Sequence, residues 1–523
     1  MILDANIYTV DSAFNYATAM VIRDGKIIET NSDEKILGKY EANKKIFMDG
    51  KTILPGFIDA HCHFTGYATD MWKCNLVGTK SYAEVLDKIK QYAANAPMFW
   101  LYARGWDQND WMDKTYPDND KLNDMFPDRP VLLKRIDGHA GIANKKALEL
   151  AGINAGTKVE GGKIELKNGQ PSGLLIDNAL ALVDRVVPAI SDSLAKAYMQ
   201  RCEKICFANG LTGVHDCGIS AHTAEILKSM SESNTLQMKV YAILSDDKEN
   251  YDKWLKTGPL KTKHLHVGGF KVYADGALGS RGACLLHPYQ DEKNWHGFLL
   301  SDQSHFEKIA VQLIQTNFQM CTHAIGDSAN RVMLKIYAQQ LKGKNNKRWR
   351  IEHAQVVHPA DFHLFGEYNI IPSVQPTHAT SDMYWAGDRL GPTRLKSAYA
   401  YKELMMQNKN IALGTDFPVE DISALKTFYA AVIRKDKNNY PEKGFQTENA
   451  LSREDALRGM TIWAAYAAFE EQEKGSLEKG KAADFIVLDQ DLMQCAPEKI
   501  LETKVLATYI DGQMVYQTKN NGN

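Results

Sequence analysis

Between residues 53 and 415 the chain alternates short apolar runs with longer stretches of helical periodicity. This alternation is typical of βα units around a parallel sheet, because parallel neighbours need a long crossover that is usually a helix. With 523 residues the chain exceeds one ordinary core and suits a large barrel with a smaller partner domain. The predicted strands are 53–60, 100–104, 131–135, 213–216, 269–274, 319–323, 350–353, 371–375 and 411–415.

Three parts of the chain differ in character. Residues 55–475 carry the alternation and predict a (β/α)8 barrel of TIM type. Within them, residues 67–200 lose it and become rich in aromatic residues and turns, which indicates an insertion covering the barrel mouth. Residues 1–54 and 476–523 contain short strands, and neither end has enough apolar surface to fold alone. We therefore predict an α/β protein in which both termini build one small β-sandwich domain.

Composition excludes several classes of partner. The net charge of -2 gives no basis for nucleic-acid binding, and no apolar run approaches the ~20 residues that span a bilayer. The eight cysteines lack C-x-x-C spacing, so we expect reduced thiols. No signal peptide is evident, which predicts a cytoplasmic protein, or an exported one whose leader was removed. The substrate should be a small molecule, and exposed edges of the β-domain favour a homodimer.

Two histidines close the first apolar run of the barrel. His61 and His63 lie two residues apart, and on a strand such residues face the same side, so both imidazoles can bind one metal ion. The alternative is a pair of surface or hydrogen-bonded histidines. A second pair, His264 and His266, precedes a strand and should lie at the bottom of the barrel, where residues serve stability.

Four more polar residues fall within or at the ends of predicted strands. They are Lys271, His323, His353 and Asp416. The carboxyl ends of barrel strands converge, so these side chains should meet His61. Neutral imidazoles bind zinc, while a carboxylate takes a proton from metal-bound water and later returns it. An alternative for Asp416 is a helix cap in a strand-to-helix turn.

Several short motifs are the most specific features of the chain. They are GFIDAHCH at 56–63, RGWD at 104–107, ADGALGSR at 274–281, THAIGD at 322–327 and SVQPTH at 373–378. Together they resemble the amidohydrolase superfamily across essentially the whole chain, and they look like its amidohydrolase 3 branch, which contains the N-substituted formamide deformylases. The segment GSLEKGKAADFIVL at 475–488 is equally similar to that family.

The resemblance implies a role for each strand-end residue. His61 and His63 would hold the more buried metal, His323 and His353 the more exposed one, and Asp416 would be the general acid/base. Lys271 stands where related enzymes bridge two metals with a carboxylated lysine. The implied cofactor is a pair of zinc ions, with manganese, iron or cobalt as alternatives. An unmodified lysine paired with Asp275, with one metal or another bridge, is the competing interpretation.

Candidate substrate contacts come from other strand ends and from the insertion. His139 and His215 follow apolar runs and can donate hydrogen bonds to a substrate carbonyl, or else support the metal ligands. His378 belongs to the SVQPTH motif and is a further substrate-binding candidate. Trp106, with Trp111 and Trp385, can line an apolar pocket or fill the insertion core.

Two more charged residues bear on substrate contact. Arg281 can hold a substrate carboxylate or pair with a neighbouring acid. Asp177 stands where related sequences often carry a glutamate, and its shorter side chain weakens any transferred role.

The predicted function is that of a metal-dependent amidohydrolase. Metal-activated hydroxide would cleave a C–N bond in an amide, an N-substituted formamide or a cyclic imide, with Asp416 as general acid/base. An esterase or phosphoesterase on the same binuclear site is the alternative, because the hydroxide itself is not selective. A non-catalytic binding scaffold predicts loss of a ligand or of Asp416, and all six positions are present.

Overall fold

The computed structural model describes residues 1–96 and 98–518, so the last five residues of the predicted β-domain lie outside the described part. Its strands are β1 Ile2–Tyr8, β2 Tyr16–Ala17, β3 Ala19–Arg23, β4 Lys26–Asn31, β5 Ile46–Pro55, β6 Phe57–Cys62, β7 Cys74–Asn75, β8 Leu101–Trp106, β9 Val131–Arg135, β10 Ala140–Ala143, β11 Gly162–Lys167, β12 Gln170–Asp177, β13 Leu211–Ile219, β14 Lys239–Ser245, β15 Leu260–Lys261, β16 Leu265–Tyr273, β17 Gln319–Ala324, β18 Arg350–His353, β19 Ile371–Val374, β20 Ala412–Leu413, β21 Phe485–Leu488, β22 Val505–Ile510 and β23 Gln513–Gln517.

The helices begin with well-formed caps at several points. Ser191, Ser220 and Asp247 each accept a hydrogen bond from the backbone N–H three residues later, which satisfies a donor that the first helical turn leaves free. The helices are α1 Asp33–Lys39, α2 Phe64–Asp70, α3 Tyr82–Asn95, α4 Asp120–Met125, α5 Lys145–Leu150, α6 Asn178–Asp184, α7 Asp192–Ala208, α8 Ala221–Glu232, α9 Lys248–Thr257, α10 Gln303–Ile314, α11 Asp327–Leu341, α12 His363–Glu367, α13 Pro376–Asp382, α14 Ala386–Leu395, α15 Tyr401–Asn408, α16 Ala424–Ile433, α17 Arg453–Gly459 and α18 Ile462–Ala467, with 3-10 turns at Gln108–Asp110, Pro359–Asp361, Thr447–Asn449 and Pro497–Glu502.

Eight parallel strands form the barrel. Their order is β6, β13, β14, β16, β17, β18, β19 and β20, and helices separate successive strands from β13 onwards. The ring closes where the backbone N–H of Asp416 donates to the carbonyl of His61, at 2.7 Å. Strand β6 is buried on both faces, and a Cβ on Gly56 just before it would lie 2.3 Å from the Thr212 side chain. Close packing therefore requires glycine there.

Strands from both termini share one sheet of eight strands. Strand β5 pairs with β1 on one side and with β21 on the other, which joins the two ends of the chain. An antiparallel β-bridge joins Lys26, at the start of β4, to Ala482, just before β21. This contact brings the edge strand β4 next to the other half of the sheet, so the sheet curves around a core of its own. That core includes Ile7, Ile27 and Phe485.

Lys239 ties this β-domain to the barrel. It begins β14, and its Nζ lies 2.7 Å from carboxylate oxygens of both Asp484 and Asp511. His264 and His266 line a small cavity beside it, which agrees with their predicted place away from the strand ends that carry the site.

The insertion has its own six-stranded sheet. The order is β11, β12, β10, β9, β8 and β7, with separate hydrophobic clusters against it. Two predicted strands, 100–104 and 131–135, belong to this sheet rather than to the barrel. The barrel strand that the sequence pattern did not identify is β14, in which the apolar run VYAIL lies between Lys239 and Ser245. Short apolar runs do not reveal which sheet they join, because that is decided by distant partners.

Candidate metal centre

The predicted ligands meet at the carboxyl ends of the barrel strands. His61, Lys271, His323 and His353 lie on β6, β16, β17 and β18, and all are buried. His63 follows β6 directly, and Asp416 follows β20. Because the strands are parallel, these ends face the same side of the barrel.

Each of the four imidazoles has one ring nitrogen engaged by an oxygen. Nδ1 of His61 lies 2.5 Å from Glu352 Oε2, and Nδ1 of His63 lies 2.9 Å from the carbonyl of Cys217. Nδ1 of His353 lies 2.7 Å from Oε1 of Gln375, and Nε2 of His323 lies 3.5 Å from the carbonyl of Gly276. Such partners fix the ring and leave the opposite nitrogen available for a metal.

Asp416 sits among these rings. Its Oδ1 lies 3.1 Å from Nε2 of His63 and 3.7 Å from Nε2 of His61, and ligand atoms of His61, His353 and Asp416 lie within 4.8 Å of one another. Both Asp416 and His353 have positive φ angles, 60° and 72°. Left-handed backbone at non-glycine residues is strained and is often found at functional sites.

Electrostatics favour neutral imidazoles facing a charged carboxylate. Burial, together with the charge of Lys271, lowers the pKa of His61 to about 4. Burial also holds the pKa values of His323 and His353 well below the ordinary value. Burial alone would raise the pKa of Asp416, but the neighbouring His63 and His61 side chains lower it strongly. Neutral imidazole and ionised carboxylate are the forms that bind a cation.

Lys271 points at this cluster and is not paired with Asp275. Its Nζ lies 3.2 Å from Nε2 of His61. The Asp275 carboxylate instead accepts backbone N–H groups from Cys284, Ile325 and Gly326. An ammonium itself cannot ligate a cation, so the unmodified lysine lies beside the candidate ligands without being one of them.

A buried ion pair beneath the histidines was not predicted from the sequence. Arg350 Nε lies 2.7 Å from Oε1 of Glu352, and Arg350 also donates to the Ala60 carbonyl and to Ser373. Opposite charges lower the pKa of Glu352 despite its burial. The available signal was two charged residues spaced i, i+2 on one buried strand, which must share a face and find partners inside the barrel.

A cavity of about 1670 Å³ opens from the metal centre toward the insertion. Two of the predicted substrate-binding residues, His139 and His378, line it, and so do Trp111 and Trp385. Nε2 of His378 lies 3.6 Å from Oδ2 of Asp416, and the His139 ring centroid lies 5.1 Å from that of His323.

Asp177 holds His139 in place. Its Oδ1 lies 2.6 Å from Nδ1 of His139, so the shorter carboxylate still reaches the ring. A Cβ on Gly276 would lie 2.5 Å from Asp177 Oδ2, and glycine there makes room for this approach.

Three predicted substrate residues do not line the large cavity. His215 is buried inside the barrel, where its Nδ1 lies 3.0 Å from Arg350. Trp106 donates to the Leu133 carbonyl and packs in the insertion core, because its strand turns it away from the barrel. Arg281 pairs with Asp291 at 2.9 Å and lines a separate smaller cavity. The structure thus places these three residues away from the large cavity, and their substrate contacts stay predictions.

The donor set fits a divalent metal. Four imidazoles and one carboxylate offer nitrogen and oxygen ligands of the kind that zinc and related ions bind. Asp416 Oδ1 and His378 Nε2 are buried and make no well-formed hydrogen bond to any residue that the structure describes. Buried polar atoms without partners are costly, so a cation or a substrate group is expected against them.

The barrel and its strand-end donors define a metal-dependent hydrolase. The chain belongs to the amidohydrolase family, which it matches over residues 48–516. It is 31% identical to Protein LONG AFTER FAR-RED 3 of Arabidopsis thaliana over 99% of this chain and 91% of that protein. It is 26% identical to an N-substituted formamide deformylase of Arthrobacter pascens over 99% of this chain and 98% of the relative.

A solved structure has the same architecture. A metal-dependent hydrolase of Pyrococcus horikoshii OT3 superposes with a TM-score of 0.77 at 26% identity, covering 95% of this chain and 98% of that one. The predicted family and the predicted barrel fold are thus confirmed. No helix within the described residues is long and apolar enough to cross a membrane, and all eight cysteines are free thiols.

Proposed function

We propose that this protein hydrolyses a C–N bond in a small amide, N-substituted formamide or cyclic imide. The observation that carries the proposal is the set of four oriented imidazoles around Asp416 at the end of one cavity. The deformylase relative supports a C–N substrate, and the metal-dependent hydrolase neighbour supports metal use.

His61, His63, His323 and His353 would hold one or two divalent ions, with Lys271 as the candidate bridge if it carries a carboxylate. When bound, a divalent ion polarises the substrate carbonyl and lowers the pKa of a water molecule toward neutrality. Glu352, Gln375 and two backbone carbonyls keep the imidazoles in position. Zinc, manganese, iron and cobalt all suit this donor set.

Asp416 is the proposed proton carrier. Its lowered pKa keeps it ionised, so it can accept a proton from the attacking water as the new C–O bond forms. It then delivers that proton to the departing nitrogen as the C–N bond breaks. An amide or formamide gives a carboxylic acid and an amine, and a cyclic imide opens to one molecule that carries a carboxylic acid and an amide. His378, 3.6 Å from Asp416, is placed to orient this carboxylate and to contact the substrate.

The test compares Asp416→Asn with Asp421→Asn. Asp421 is an exposed acid at the rim of the same cavity and pairs with Lys426. Metal content per chain is measured by mass spectrometry, and hydrolysis is followed on formamides, anilides, cyclic imides, carboxylic esters and phosphate monoesters. We expect Asp416→Asn to keep its metal and lose about 10²–10⁴-fold in rate, with Asp421→Asn near wild type.

Two results contradict the proposal. A near-native rate in Asp416→Asn removes this residue as the proton carrier. Turnover of esters or phosphate esters without any turnover of amides moves the function to the alternative bond.

A further inference from the structure

Three cationic side chains meet on the insertion side of the large cavity. Lys73 follows α2, Arg104 lies on β8 and Lys134 lies on β9, and all three line the cavity that also contains Asp416. We call Lys73, Arg104 and Lys134 the insertion cation cluster. Their side chains are only 13%, 19% and 17% exposed.

The cluster is held by two carboxylates. Asp70 contacts Lys73 and lies 3.4 Å from Arg104, and Asp184 lies 2.7 Å from Lys134. Lys73 Nζ also sits 3.8 Å from the centroid of the Tyr102 ring. These contacts orient the three cations along one wall of the cavity.

The charges within the insertion cation cluster do not balance. Three cations face two carboxylates, so the cluster itself carries one excess positive charge in a poorly solvated place. The neighbouring Arg135 is paired with two carboxylates, Asp107 and Asp137, so the excess is local to the cluster and does not extend over the whole wall. Burial, with the nearby charges of Lys134 and Arg104, lowers the pKa of Lys73 although Asp70 opposes this.

A second observation points to a missing partner. Nε of Arg104 is buried and has no hydrogen-bond partner among the described residues, while its two other nitrogens contact Asp70 and the Ile136 carbonyl. An uncompensated charge in a poorly solvated place costs free energy, and an anion against the accessible side of these groups would offset it. Guanidinium and ammonium groups together are typical of carboxylate and phosphate sites.

The same cavity extends from the insertion cation cluster to Asp416. At about 1670 Å³ it exceeds the roughly 300–1,000 Å³ of ordinary small-molecule pockets. One cavity lined by both Asp416 and Lys73 can therefore hold an extended substrate.

We propose that the insertion cation cluster binds an oxyanion, carboxylate or phosphate, carried by the substrate on the part remote from the bond that is cleaved. The identity of that ligand as a substrate rests on the proposed function, whereas anion binding itself does not. The substrate class becomes an amide or formamide with an acidic tail.

The experiment measures anion binding by isothermal titration calorimetry on the metal-loaded protein. Succinate and inorganic phosphate are titrated separately, so that the two arms distinguish a carboxylate site from a phosphate site. Lys73→Met removes the excess charge, and Arg104→Gln serves as a second variant if the first fails to fold by circular dichroism. Lys80→Met is the matched control, because Lys80 lines the same cavity with its side chain 65% exposed.

We expect saturable binding of at least one anion by the wild type, weakened about tenfold or more in Lys73→Met or Arg104→Gln and changed less than about twofold in Lys80→Met. Absence of saturable binding overturns the proposal. Equal binding in wild type and both cluster variants also overturns it, because the anion then sits at the metal centre or is an adventitious ion only.

A kinetic arm separates this proposal from the proposed function. Pairs of N-formyl amines with and without a terminal carboxylate should differ in kcat/KM, and the cluster variants should remove that preference mainly through KM. If the protein binds the anion but hydrolyses no amide, the proposed anion site stands and only the proposed C–N hydrolase function is contradicted.

Discussion

Replacing Glu352 with glutamine should loosen His61 and weaken metal binding. The glutamate contacts both His61 and Arg350 in the barrel interior. The side-chain oxygen of glutamine can still accept a hydrogen bond from Nδ1 of His61. Its NH2 group then faces the Arg350 guanidinium, and because both groups are donors no hydrogen bond can form between them. Arg350 keeps hydrogen bonds to Ala60 and Ser373 and loses its counterion.

The magnitude follows from that geometry. Removing one partner of a fully buried pair costs about 3–5 kcal/mol of stability, since an uncompensated charge remains inside the protein. Loss of the carboxylate that orients a metal-binding histidine lowers metal affinity about 10–100-fold. Metal affinity is measured by competition with a chelator, and stability by the thermal midpoint of the metal-loaded and metal-free forms.

Glu502→Gln is the matched control. Glu502 lies 2.7 Å from Lys499, and both side chains are more than half exposed, so loss of this surface pair should leave stability close to that of the wild type. The reasoning is refuted if Glu352→Gln binds metal as tightly as wild type and unfolds at the same temperature as Glu502→Gln.

Three further predictions concern other buried charges. Lys271→Ala should lower metal content per chain, with activity partly restored by short carboxylic acids, and full metal retention would argue against a carbamate bridge. Lys239→Met should lower the thermal midpoint, because two carboxylates of the β-domain lose their shared cation at about 3–5 kcal/mol; an unchanged midpoint would show that this contact is dispensable. Burial raises the pKa of Glu203 from 4.5 to about 7, so the folded protein binds more protons than the unfolded chain in that interval. The contribution of Glu203 to stability should therefore fall by roughly 3 kcal/mol as pH rises from about 4.5 to 7. Glu203→Gln keeps an oxygen for the Gln237 and Met238 N–H groups, so it should remove this decline and exceed wild type in thermal midpoint at pH 8 but not at pH 4.

Much of the metal centre was predictable because its residues end local apolar runs. His61, His323, His353 and Asp416 could be placed on the same side of the barrel from strand direction alone. The partners of those residues could not be placed in the same way. Glu352 contacts His61 although the two residues are 291 positions apart in the sequence, and a local sequence pattern cannot reveal a contact over that separation.

Side-chain directions within the insertion could not be predicted from the sequence. His139 and Trp106 both follow apolar runs there, yet His139 lines the cavity while Trp106 fills the insertion core. The direction of each side chain depends on the register of β8, β9 and β10 and on how the insertion packs over the barrel. The excess charge of the insertion cation cluster also emerges only once α2, β8 and β9 come together.

The sequence by itself determined the barrel class, and it predicted the joining of both termini in one small domain and the six residues that the structure brings together at the candidate centre. Apolar periodicity and strand direction are local properties, so they can be inferred from the sequence without knowledge of the fold. The tertiary structure alone decided which strands joined the barrel, which polar side chains reached the cavity, and how Arg350 and Glu352 support the histidines. Those outcomes depend on contacts between distant segments, whose geometry exists only after the chain has packed.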